Sequence, residues 1–115
     1  NTSLYRQIVA RRILVEANLR YLAKHRNELK QKFPTFEDFR RKYEVPNEVI
    51  DNILAEAKKA LKDKYPKDEE KKTTELLRNM LRALAARDLW DMNEYFAIIY
   101  EDDDIVNKAI QLMEE

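Results

Sequence analysis

The single serine and the single histidine, Ser3 and His25, are the residues from which a Ser-His-acid hydrolase would have to be built. Ser3 lies at an end of the chain that is prone to fraying. His25 sits in the cationic run Lys24-His25-Arg26, a poor setting for a metal ligand, and reads as a solvated surface histidine. The acidic run Glu101-Asp102-Asp103-Asp104 invites a cation site. A calcium loop, however, needs spaced ligands, a turn glycine and a distal glutamate; consecutive acids fit helix capping better. With 22 Asp and Glu in the chain, some pair always matches a glycosidase spacing, so such a pair carries no weight alone. No catalytic residue, metal ligand or cofactor is assigned from these residues.

Composition narrows the chemistry further. The chain of 115 residues has no Gly, where average usage of about 7% would give roughly eight, and no Cys. Without Gly there is no P-loop, dinucleotide fingerprint or GxSxG elbow, because each needs a backbone that only Gly adopts. Without Cys there is no disulfide, zinc ribbon or thiol nucleophile; this fits either redox compartment. Lys and Arg total 22, balancing the acids, so net charge supplies no attraction to nucleic acid or anionic membrane. The balance is uneven along the chain. Residues 1–32 hold eight Lys/Arg against two Glu, and residues 88–115 hold one Lys against nine acids. Arg6, Arg11, Arg12, Arg20 and Lys24 therefore form a candidate contact surface on the first helix. It would either pack near the acidic tail or meet an acidic protein surface. Nucleic-acid binding is the weaker alternative, since no short recognition helix with base-reading side chains is present. The aromatic group Trp90, Tyr95, Phe96 and Tyr100 reads as core ahead of an interface. Arg87 and Asp88 are placed to satisfy polar ends beside Trp90.

Helices must position all of this. No period-two alternation of β-branched residues occurs, so the expected fold is all-α, a compact bundle of about six helices in one domain over residues 1–115. Leu4, Ile8, Val15, Leu19, Leu22 and Leu29 mark one face of a continuous helix from about Leu4 to Lys32, capped by Thr2 or Ser3 and ended by Phe33-Pro34. Thr35 starts a short second helix whose Phe36, Phe39 and Tyr43 turn inward. Pro46 opens a third, with Val49, Ile50, Ile53, Leu54, Ala57 and Leu61 as its stripe. Residues 63–72 form a polar loop and the first turn of a fourth helix capped by Asp68, whose stripe includes Leu76, Leu77, Met80, Leu81, Leu84 and Leu89. Asp91 and Glu94 start a short fifth helix; Asp102 or Asp103 starts a sixth with Ile105, Val106, Ala109, Ile110 and Met113 inside. No apolar run approaches the roughly 18 residues of a membrane span, and no signal-peptide pattern is present.

One stretch carries a resemblance. Leu81, Ala83, Ala86, Arg87, Asp88, Leu89, Trp90, Tyr95, Asp104, Ala109 and Leu112 reproduce a helix ending in Leu-x-Ala-x-x-Ala-Arg-Asp-Leu-Trp, a Tyr-containing short helix, an acidic cap and a last helix. The pattern resembles the C-terminal tail of bacterial carboxyl-terminal-processing (tail-specific) serine peptidases of Bacteroidetes type. Upstream, FPTFEDFRRKYEVPNEVIDNIL is similar to that family's phenylalanine-rich step and following helix start. Where the family often has Gly after Leu-Trp, this chain has Asp91. The resemblance implies a fragment of a larger enzyme that uses a Ser nucleophile and a Lys base on a separate domain absent here. The chain alone would be no enzyme. It would act as an accessory part that docks on the catalytic core, self-associates or presents a protein substrate, in the periplasm or cell envelope and without a membrane contact of its own. Arg87, Leu89, Trp90 and Tyr95 are its expected structural anchor. A standalone helical interaction module is the alternative.

Overall fold

The prolines and the hydroxyl caps divide the chain where the sequence places them. The computed structural model describes residues 1–101, and within these it contains six α-helices and no strand. They are α1 (Ser3–Ala10), α2 (Ile13–Lys32), α3 (Phe36–Lys42), α4 (Asn47–Leu61), α5 (Glu70–Leu89) and α6 (Met92–Glu101). Thr2 caps α1, its Oγ1 accepting from the Tyr5 amide at 3.1 Å, and Thr35 caps α3 by accepting from the Asp38 amide at 3.2 Å. Pro46 takes the cap position of α4, one residue before the helix proper. The helix expected after Asp102 lies outside the described residues.

The count of six is met in a different way from the one the sequence suggests. The long first helix is broken at Arg11-Arg12. The Arg11 amide still donates to the Gln7 carbonyl, but the Arg12 amide donates to Val9, and Arg12 turns left-handed at φ 65°. The break rotates one helix face relative to the other. The buried residues of α1 are Leu4, Tyr5 and Ile8; those of α2 are Ile13, Leu14, Ala17, Asn18, Leu22 and Leu29. These two sets do not share one 3.6-residue phase, and differ by about a residue's rotation (~100°). Consequently Leu19, expected in the core, is 52% exposed, and Val15 is only half-buried.

The core forms where α2 lies against both α4 and α5. Phe39, Leu4, Ile8, Ile53, Leu77 and Ile98 are fully buried in it. Ala83, Leu84, Ala85 and Ala86 are all buried, so this stretch of α5 is enclosed on every side; small side chains let α6 pack back along it.

The polar 62–72 stretch forms two short 3-10 turns, Lys62–Lys64 and Lys67–Glu69, before α5 begins at Glu70. Lys62 is the second residue with positive φ, at 52°. Asp68 does not cap α5. Its neighbour Glu69 caps α1 from 65 residues away: Oε1 accepts from the Leu4 amide and the Ser3 hydroxyl, both at 2.9 Å. Ser3, the one serine, thus sits in a helix-end tie, next to the Thr2–Thr73 hydroxyl contact at 2.6 Å. Those two amide and hydroxyl donors hold the Glu69 carboxyl below its usual range.

Candidate docking face at the end of the bundle

The Arg87-Asp88-Leu89-Trp90 run forms a joint between three helices. Trp90 ends α5, its amide donating to the Ala86 carbonyl at 2.9 Å. Its half-buried indole meets Phe36 and Phe39 of α3 edge-on, at centroid distances of 5.7 and 5.4 Å. From α2, the Lys30 ammonium lies 4.4 Å above the indole and also donates to the Leu89 carbonyl at 3.3 Å. One cation therefore satisfies a helix-end carbonyl and the face of the ring together. Asp88 Oδ2 accepts from the buried Asn18 amide of α2 at 2.9 Å, while Oδ1 faces Arg87 Nε at 3.1 Å. Leu89 is buried. Arg87, Leu89 and Trp90 of the expected anchor sit at this joint, where Asp88 ties α5 to Asn18 of α2 and Arg87 pairs with Asp88.

The joint fixes the direction in which α6 leaves. The Met92 amide donates to the Asp91 side chain, and the Glu94 and Tyr95 amides donate to the Asp91 carbonyl, so Asp91 starts α6. Ile98 is buried against α5, and Tyr95 is half-buried with its hydroxyl 3.8 Å from Met80 sulfur. At the far end Glu101 pairs with Arg40 of α3 at 3.1 Å and Arg82 of α5 at 3.5 Å. The opposite side of α6 is different. Met92, Phe96 and Tyr100, at i, i+4 and i+8, are 43%, 41% and 50% exposed, with Phe96 and Tyr100 stacked at 5.7 Å. Phe96 and Tyr100 were expected in the core. The amphipathic helix can bury only one side against α5, and Ile98 and Tyr95 occupy that side.

The cationic candidates are strung out. Arg6 donates to the Asn1 carbonyl at 3.3 Å, Arg11 donates to Gln7 at 3.2 Å, and Arg12 is the left-handed residue of the turn. Arg20 pairs with Glu56 of α4 at 3.2 Å, and Lys24 is exposed on α2. Arg12 to Lys24 alone covers about 18 Å of helix, so the five do not surround one point. The His25 ring lies 4.4 Å from the Tyr21 ring at a tilt of 31°, with Nδ1 3.4 Å from Glu28.

Sequence reasoning missed Lys30, Phe39 and Asn18 as the partners of the Arg87–Trp90 run. Each lies more than 45 residues away, and nothing local signals the contact. Among the described residues there is no cluster of three metal-ligating side chains, and no helix is long and apolar enough to cross a membrane. Residues 4–91 match the model of a family of unknown function, DUF8443. No curated protein and no solved structure matches the chain.

Proposed function

We propose that this chain, which belongs to the DUF8443 family, is a non-catalytic helical accessory domain of a carboxyl-terminal-processing serine peptidase, on the resemblance carried by Arg87, Asp88, Leu89 and Trp90. It docks on the catalytic part of that enzyme through the exposed side of α6. The observation that carries the reading is the joint at Trp90. Asp88, Leu89 and Trp90 of the run that resembles the peptidase tail hold α5 against α2 and α3, with Arg87 paired to Asp88, and the helix they aim keeps Met92, Phe96 and Tyr100 exposed. Aromatic side chains on a rigid helix are efficient contact groups, because little side-chain freedom is lost on burial. Hydrolysis then belongs to the Ser-Lys pair of the parent, and the 115-residue chain alone hydrolyses no peptide.

The native mass of the protein tests this. An antibody raised to this domain, applied to an extract of the source cell, should mark a band several times heavier than 13.9 kDa. A native band near 13.9 kDa would overturn the peptidase reading and leave a standalone interaction module, for which the same exposed side of α6 would serve.

A further inference from the structure

The turn between α1 and α2 gives up backbone contacts that a straight helix would keep. Arg12 holds φ at 65°, a region that strains a residue with a Cβ. α2 starts without a side-chain cap, so the amides of Ile13, Leu14 and Val15 have no intrahelical acceptor. In a straight helix they would donate to the carbonyls of Val9, Ala10 and Arg11. The sequence favours that straight form. No Gly or Pro lies between Ser3 and Lys32, and one apolar stripe, Leu4, Ile8, Val15, Leu19, Leu22 and Leu29, runs through the break. Residues 9–12 are exposed, so straightening meets no packed side chain there.

What the bend provides is a seat for α1. Leu4 and Ile8 are fully buried where α1 packs on α2, α4 and α5. The Thr2 hydroxyl lies 2.6 Å from that of Thr73, and Glu69 Oε1 accepts from the Leu4 amide. Straightening the chain turns the Leu4–Ile8 face by about a residue's rotation (~100°) and takes it off this seat. A second copy opened in the same way offers an identical seat. The contacts of α1 are then the same between two chains as within one, while both turns lose their strain. We infer that the chain dimerises by exchanging α1: Arg11-Arg12 joins α1 and α2 into one helix, and each α1 sits against Glu69 and Thr73 of the partner subunit. Exchange of an identical element is a low-cost route to a dimer, and a short strained connection invites it. This inference does not depend on the peptidase reading, which concerns α6.

The test uses the full chain, unfolded in urea and refolded at about 1 mM, comparable with the effective concentration at which a tethered segment meets its own site. Size-exclusion chromatography with light scattering should show a species of twice 13.9 kDa. Arg12→Gly relieves the bent form and weakens the straight one, and should raise the dimer's dissociation constant at least about tenfold. Arg12→Ala removes the same charge but keeps a Cβ and the helix preference, and should dimerise at least as well as wild type. Helicity by circular dichroism checks that each variant is folded. The exchange itself is read with Thr2→Cys/Thr73→Cys, whose hydroxyl contact sets the two side chains within disulfide reach in a chain with no other Cys. Oxidation should close the bond within one chain in the monomer peak. In the doubled-mass peak it should close between chains and give a covalent dimer on a denaturing gel. Absence of a doubled-mass species from wild type would overturn the inference, as would equal dimerisation of Arg12→Gly. A doubled-mass peak that separates into single chains carrying the bond internally would also overturn it, and would identify a dimer formed through another surface.

Discussion

Two helix breaks shape this molecule, and they are built in opposite ways. At Arg11-Arg12, between α1 and α2, the chain turns through one left-handed arginine on the surface, with no side-chain cap on the new helix. At Trp90-Asp91, between α5 and α6, the turn is surrounded by side chains from α2 and α3 and closed by Lys30. The first break is held from a distance, through Leu4, Tyr5 and Ile8 in the core and the Glu69 tie at the other end of α1. The second is held on the spot. A break inside a packed joint fixes the direction of the next helix, whereas an exposed one leaves that direction to whatever the helix later packs against.

Substitutions can separate these two modes. The largest effect is expected at the packed joint: Trp90→Ala should destabilise the fold by about 3 kcal/mol, in the range for removing a large aromatic from a core, measured by urea denaturation. An unchanged midpoint would mean that the Phe36–Phe39–Lys30 surround contributes nothing and that the contrast fails. A smaller loss should follow Glu69→Gln, confined to α1 and read from amide hydrogen exchange of Leu4 to Ile8. Because the folded Glu69 carboxyl lies below its ordinary range, its contribution is complete above the unfolded value of about 4.3 and is lost as pH falls through the folded value. The difference in protection between wild type and Glu69→Gln should therefore be present at neutral pH and vanish in acid; a pH-independent gap would show that the carboxylate's charge is not what holds α1. The smallest effect, and one of opposite sign, is expected at the exposed break. Arg12→Gly should stabilise by up to about 1 kcal/mol, since a Cβ in the left-handed region costs roughly 1–2 kcal/mol. A thermal scan showing a clear loss would mean that the Arg12 side chain contributes to the turn.

The same contrast explains what the sequence reveals. Pro34, Thr35, Pro46 and Asp91 act on their immediate neighbours, so the end of α2 and the starts of α3, α4 and α6 are readable locally. The Arg11-Arg12 break contains neither Gly nor Pro, and α1 packs its own buried face of Leu4, Tyr5 and Ile8 far along the chain from any local signal, so a continuous helix is the natural reading. Leu19 is misplaced with it, since a phase error at the break carries along the following turns. At the candidate docking face, Arg87 to Trp90 stand out by type and spacing. Whether Phe96 and Tyr100 are core or surface depends on how much of α6 can reach α5, which is a property of the assembled bundle.

The absence of glycine has a consequence for the state that no structure shows. Among the described residues the two positions of positive φ, Arg12 and Lys62, are occupied by residues that strain there, yet the chain gains from having no glycine elsewhere. Each glycine would widen the unfolded ensemble and raise the entropy lost on folding, by roughly 0.5–1 kcal/mol relative to alanine. With none, each residue of the unfolded chain has fewer backbone conformations open to it. Part of this fold's stability therefore resides in what its denatured ensemble is denied, and a change such as Ala23→Gly on the exposed side of α2 would erode it chiefly through the unfolded chain.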